Sequence, residues 1–194
     1  MDASLHDSRA QGGPAAPLPS DPAPSDIVTE PLATTGDLDF RIIELFFFAY
    51  REFTADADLV LERYGFGRAH HRVLHFVNRS PGMTIADLLD LLQITKQSLS
   101  RVLRQLIDGG FVEQLPGAED RRQRLLFPTS RGRGLTLELS RAQAERIEAA
   151  LAARGIADAT SVTTFLMEMA GDHGATKSWF RKQGIEGGPA HGRG

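Results

Sequence analysis

The feature that most restricts this fold is a helix that runs directly into a hairpin. Leu99, Val102, Leu103, Leu106 and Ile107 recur at i, i+3, i+4, i+7 and i+8, and Gly109-Gly110 then stops the helix. Thr95 has the side chain to cap its start. "FVEQL" follows with the alternation of a strand, "PGAEDRRQR" has the composition of a turn, and "LLFPT" is the returning strand. Upstream, Thr84 and Asp87 have the spacing of a capping box, and Ile85, Leu88, Leu89 and Leu92 continue at helical spacing to a brief connector at Gln93-Ile94.

Helix, turn, helix and hairpin in that order are the elements of a winged helix-turn-helix. The expected fold is therefore mainly α with a small β-hairpin wing. Opposite the apolar stripe, the same spacing places Gln97, Arg101 and Arg104 on one face, with Thr95, Lys96 and Ser98 at the first turn and Ser100 beside them. Such side chains hydrogen-bond to base edges and phosphates. The turn adds Arg121, Arg122 and Arg124, and Arg131 and Arg133 follow the second strand. The net charge of −3 does not oppose nucleic acid, because the local balance decides: these arginines and Lys96 outweigh Asp108, Glu113, Glu119 and Asp120. An arginine run standing alone more often marks a solvated tip. Asp120 has two readings, a carboxylate that orients a neighbouring guanidinium such as Arg122 and a residue that initiates the turn.

The run "MTIADLLDLLQITKQSLSRVLRQLIDGGFVEQLPGAEDRRQRLLFPTSRGRGL", Met83–Leu135, resembles the DNA-binding domain of the multiple-antibiotic-resistance regulator (MarR) family. The most specific element is the wing, where the family's Asp-x-Arg stands as Asp120-Arg121-Arg122, followed by Arg124 and by the helix opening Thr129-Ser130-Arg131-Gly132-Arg133. The resemblance implies a homodimer on a palindromic operator in double-stranded DNA. The first and last two helices interlock, the recognition helix (95–108) enters a major groove and the wing (116–125) carries its arginine into a minor groove. It also implies a transcription regulator without a cofactor, acting in the cytoplasm. The implied DNA-binding residues are Thr95, Lys96, Gln97, Ser98, Ser100, Arg101, Arg104, Asp120, Arg121, Arg122 and Arg124. Two features depart from the family pattern: a long N-terminal arm, and Pro128, which a second wing strand tolerates if it is an edge.

Composition divides the rest. Residues 1–36 are rich in Pro, Ala, Ser and Asp and read as a disordered arm. Residues 184–194 are Gly-rich and read as a frayed tail. The folded part is then 37–183, with a winged helix-turn-helix over 67–130 and dimerisation helices over 38–63 and 131–183. In Leu38–Arg63 the apolar residues Ile42, Ile43, Leu45, Phe46, Phe48, Ala49 and Phe53 spread round more than one face, so that helix needs two apolar neighbours. Leu135, Leu139, Ala142, Ile147, Ala150 and Leu151 make an amphipathic helix from Gly132 to Ala153. "RGIAD" interrupts it, and Val162, Phe165, Leu166 and Met169 begin a further helix with Trp179 and Phe180 near its far end. This is more apolar surface than one small winged helix covers, which favours a partner subunit.

Other functions find little support. The chain has no cysteine, so thiol chemistry and Cys-ligated metals are excluded. The densest apolar patch, "IIELFFFAY", is short and interrupted by Glu44, and no membrane span is expected. No catalytic constellation is present, and an enzyme is not expected. His70, His71 and His75 raise a metal hypothesis because positions 71 and 75 share a helical face, but two histidines supply only half of a zinc site, and surface or helix-terminal histidines are commoner. Phe46, Phe47, Tyr50 and Phe53 are candidates to line a pocket for a small aromatic or anionic effector, as the resemblance suggests, or are simply core. The alternative function is a winged-helix module for protein–protein contact that has lost specific DNA binding.

Overall fold

Gly132 lies so close to the neighbouring strand that a Cβ there would stand 2.0 Å from the carbonyl oxygen of Phe111. That contact joins the two halves of the chain. The computed structural model describes residues 28–32, 38–118, 120–153, 155 and 159–185. The elements are α1 (Phe40–Glu62), α2 (Arg68–Arg79), β1 (Met83–Thr84), α3 (Ile85–Leu92), α4 (Lys96–Asp108), β2 (Val112–Pro116), β3 (Arg124–Pro128), α5 (Ser130–Ala153), α6 (Thr160–Met169) and α7 (Gly174–Gln183). The expected arm falls outside the described residues apart from 28–32, which are exposed and without regular structure, and the expected tail falls outside them after residue 185.

The winged-helix lobe has the core that the periodicity predicts. Leu99, Val102, Leu103 and Leu106 of α4 are buried with Val73, Leu74 and Val77 of α2, Leu88 and Leu92 of α3, Val112 and Leu126 of the sheet, and Leu135 and Leu139 of α5. Local signals set the ends of the two central helices. Thr84 and Asp87 form a reciprocal capping box, at 3.0 and 2.9 Å, and Thr95 Oγ1 accepts the Ser98 N–H at 3.2 Å. Between them Gln93 takes the left-handed conformation at φ +51° and ends α3.

Three expectations need correction. The sheet has three strands in the order β1-β3-β2, so the returning wing strand is central rather than an edge. β1 escapes a sequence reading because it has two residues, too few to alternate. Pro128 is tolerated for a different reason. In antiparallel strands the N–H and C=O of a residue face the same neighbour and switch sides at each step. Leu126 turns its carbonyl to β1, where it accepts the Gly82 N–H at 2.8 Å, so Pro128 turns its nitrogen to the same side, past the end of β1. No ladder bond is lost. Finally, the helix expected to run from Val162 to beyond Trp179 is two helices, because Gly171 adopts φ +72° and breaks the chain after α6.

Outside the winged lobe, apolar surface is left uncovered. α1 buries only Thr54, Ala57 and Leu61, while Ile42, Leu45, Phe47 and Phe48 are more than half exposed. Leu166 and Met169 of α6 are also exposed, and Phe46 meets Phe165 at a ring separation of 5.9 Å. By contrast α7 packs on the winged lobe. Trp179 stands edge-on to Phe76 at 4.9 Å, and the Lys182 ammonium donates to Ser80 Oγ at 2.5 Å.

Two glycines of α5 test the close contact. Gly132→Ala should cost about 3 kcal/mol, the upper part of the range for overpacking, because the obstacle is backbone. Gly134 has nothing within 4 Å of an added Cβ, so Gly134→Ala should gain about 0.5–1 kcal/mol from helix propensity. Urea unfolding of both variants beside the parent checks the pair, and equal effects of the same sign would contradict the packing described.

Candidate nucleic-acid interface

α4 presents its polar face because its apolar stripe is fully used in the core. Lys96, Gln97, Ser98, Ser100, Arg101 and Arg104 are all exposed and line one shallow concavity. At its start, the capping hydroxyl of Thr95 also donates to Ser98 Oγ at 3.0 Å, which fixes the first turn. The sequence reading thus grouped these residues as they stand.

The wing tip is a self-bonded turn. The Gly117 N–H donates to the Gln123 carbonyl and the Gln123 N–H to the Asp120 carbonyl, both at 3.0 Å. The Asp120 carboxylate accepts the Arg122 backbone N–H at 2.8 Å. Of the two readings of Asp120, the structure shows the turn-initiating one, an Asx turn, and among the described residues no guanidinium lies on the carboxylate. Gly117 is needed here, since a Cβ would come within 2.8 Å of the Asp120 carbonyl oxygen. The tip leaves Arg121, Arg122 and Arg124 exposed.

Clustering distinguishes this surface. Elsewhere many cations are paired with carboxylates, Arg51 with Glu52, Arg63 with Glu138, Arg68 with Asp58, Arg146 with Asp56 and Lys177 with Asp172, while Arg72, Arg133 and Arg141 are exposed without such a partner among the described residues but stand outside the cluster. Among the described residues, Lys96, Arg101, Arg104, Arg121, Arg122 and Arg124 have no acidic partner. An unpaired cation cluster on one helix face and one hairpin tip is the electrostatic footprint of phosphate contact.

Arg131, counted above with the basic cluster, does not belong to it. Its guanidinium lies 4.3 Å from the centre of the Phe111 ring and donates to the Gly109 carbonyl at 2.9 Å. Thr129 works beside it, accepting the Gly132 N–H at 3.0 Å and donating to the Gly110 carbonyl at 2.7 Å. Together they tie the end of α4 to the start of α5. Arg133 is exposed on α5.

The histidines separate into two roles. His70 is buried with both ring nitrogens occupied: Nδ1 accepts the Gly67 N–H at 3.1 Å, and Nε2 meets Gln105 Oε1 at 2.9 Å. Gln105 was missed from sequence because nothing in its local pattern reveals a partner on another helix. His71 and His75 line a cleft of about 280 Å³ between α1, α2 and α5, together with Tyr50, Phe53, Arg68 and Gln143. Of the four aromatic residues proposed for an effector pocket, Tyr50 and Phe53 reach this cleft, whereas Phe46 packs on Phe165 and Phe47 is 70% exposed. No group of three metal-ligating side chains occurs among the described residues. No helix among them is long and apolar enough to cross a membrane.

A profile of the MarR family matches residues 64–123, the stretch from the end of α1 to the wing tip. An HTH-type transcriptional regulator from Rhodobacter capsulatus, PetP, is 54% identical over 113 residues, which span 58% of this chain and 68% of that protein. The chain belongs to the MarR family. Solved structures agree on the fold. A MarR protein from Peptoclostridium difficile superposes with a TM-score of 0.61 at 18% identity over 79% of this chain and 99% of that one. NadR in complex with 4-hydroxyphenylacetate gives 0.58 at 20% identity over 72% and 97%. This MarR-family chain is accordingly a winged helix-turn-helix transcription regulator rather than an enzyme, as its sequence led us to expect.

The cleft of this MarR-family regulator carries a pH dependence. Burial, with the His75 charge second, holds the His71 pKa below its ordinary value against a smaller opposing effect of Asp58; burial and then Arg79 do the same for His75. The unfolded chain therefore binds protons before the folded one, and stability present above about pH 6.5 is lost as pH falls below it. Urea midpoints taken from about pH 7.5 to 5 should fall, and the double variant His71→Gln/His75→Gln should show a flatter profile. An unchanged slope in that variant would assign the acid sensitivity elsewhere.

Proposed function

We propose that this regulator acts as a homodimer that reads a palindromic operator in duplex DNA, with α4 in the major groove and the wing tip in the minor groove. The observation that carries this reading is the clustering of Lys96, Arg101, Arg104, Arg121, Arg122 and Arg124 on α4 and the wing tip, none with an acidic partner among the described residues. Gln97, Ser98 and Arg101 have the donors and acceptors for base edges. Lys96, Ser100, Arg104, Arg121 and Arg124 suit phosphates, and Arg122 suits the enhanced negative potential of a narrow minor groove.

The dimer rests on the apolar faces that a single chain leaves open on α1 and α6. Full burial of one large aliphatic or aromatic side chain contributes about 1.5–3 kcal/mol, so several such residues favour a second copy. This assigns assembly to α1, α5 and α6, a narrower set than the expected spans 38–63 and 131–183, since α7 packs on the winged lobe. An effector, aromatic or anionic, would enter the cleft between α1, α2 and α5, where Tyr50 and Phe53 offer rings and Arg68 and Arg72 offer charge. The ligand held by NadR has that chemistry, which supports the reading.

Salt titrations on a duplex enriched from sheared genomic DNA, and on its scrambled version, test the DNA contacts. Arg122→Ala should weaken both duplexes and reduce the magnitude of the log–log salt slope by roughly one unit. Arg101→Ala should cost about 1–3 kcal/mol on the enriched duplex and relax preference at one base position per half-site. An Arg122→Ala protein with parental affinity and slope would make the tip a solvated turn.

Assembly is checked apart from DNA. Sedimentation equilibrium of the parent should give twice the chain mass, and Phe48→Glu should shift it toward one chain. A monomer that binds an isolated half-site at full affinity would refute the dimer.

A further inference from the structure

α4 is set in the core by an apolar stripe, and such packing is non-directional: it buries a face without fixing a few degrees of rotation. A hydrogen bond is directional. Among the described residues, Gln105 is the polar side chain of α4 that bonds to another helix. It lies one turn beyond Arg101, on the same face by i, i+4 spacing, and its Oε1 stands 2.9 Å from Nε2 of His70 on α2.

The protonation of His70 is decided by its other nitrogen. Nδ1 faces the backbone N–H of Gly67 at 3.1 Å, and a backbone N–H only donates, so Nδ1 carries no proton. In the neutral ring the proton is then on Nε2, where it is donated to Gln105. The ring is only 8% exposed and stacks on Phe66 at 4.5 Å and 8°. Phe66 in turn meets Phe111 edge-on at 5.2 Å. Gly65, Phe66 and Gly67 form the loop between α1 and α2. His70 therefore touches that loop twice, through a bond and a stack, and touches α4 once.

We propose that His70 is a positioning residue for DNA reading: as its Nε2-protonated tautomer it pins Gln105, and with it the rotation of α4, to the loop that joins α1 to the winged-helix lobe. The inference rests on α4 being the element that reads DNA. Loosening the pin leaves the phosphate-binding cations in place and blurs their register on the bases, so specific affinity falls while sequence-independent affinity stays.

The test uses the full chain. Nitrogen-15 imidazole spectra of the free protein should show His70 with Nδ1 unprotonated and a slowly exchanging proton on Nε2; a ring averaging between tautomers overturns the proposal. Three variants then go on the enriched duplex and its scrambled version, beside Arg101→Ala. His70→Asn keeps an acceptor for Gly67 and cannot reach α4. Gln105→Met keeps length and loses the acceptor. Each should lower the ratio of enriched to scrambled affinity roughly tenfold, with scrambled affinity unchanged, and the double variant should lose no more than either single one. Loss in Gln105→Met alone would mean that Gln105 contacts DNA itself, and additive losses would mean independent roles; both overturn the pin. Equal losses on the two duplexes would reduce His70 to a stability role. If Arg101→Ala also leaves the ratio unchanged, the reading of α4 itself fails, which separates that failure from failure of His70 alone.

Discussion

The structure depends on one close approach, the seating of the first turn of α5 on the Phe111 carbonyl at Gly132. Only a residue without a Cβ permits it, and on either side the contact is braced. Thr129 caps α5 and holds the Gly110 carbonyl, while Arg131 covers the Phe111 ring and holds the Gly109 carbonyl. These bonds satisfy the carbonyls of Gly109 and Gly110, which follow α4, with side chains at the start of α5, so the end of α4 and the start of the long helix share one hydrogen-bonded joint. The joint combines backbone contacts, Gly132 on the Phe111 carbonyl and the Thr129 N–H donating to it at 3.2 Å, with the side-chain bonds of Thr129 and Arg131.

Beside it, His70 and the Gly65–Gly67 loop make a second joint, between α1 and α4. Phe111 belongs to both, with the Arg131 guanidinium over its ring and Phe66 meeting it edge-on. The winged lobe is thus held to the long helices at two points that share one aromatic ring, and the cleft lined by Tyr50, Phe53, His71 and His75 opens between those same helices.

Helical periodicity and capping residues made most of this legible in the sequence. The stripe from Leu99 to Ile107, the Thr84 and Thr95 caps and the hairpin all reappear where their local patterns place them, because each is decided by neighbours within a few residues. What was illegible depended on partners distant in the chain. β1 exists only because β3 offers it a ladder, and the tolerance of Pro128 follows from where β1 ends. The position of Arg131 illustrates the limit: by sequence it is one more arginine of a basic run, and only the placement of Phe111 and Gly109 shows that its guanidinium is occupied within the chain. Asp120 lay between these cases, since an Asx turn and a carboxylate–guanidinium pair need the same residue at the same place.

The register of the small sheet has a consequence for aggregation. With Met83 opposite Leu126, continuation of the ladder would set Pro81 against Pro128, two residues without an N–H, so β1 cannot lengthen in that direction. The other outer strand, β2, ends at Pro116 and exposes Glu113. Both edges of the sheet are thereby poor templates for a foreign strand. A protein whose wing must project from the body carries an exposed hairpin by necessity, and here the prolines protect it from edge-to-edge polymerisation without placing bulk at the arginine-bearing tip.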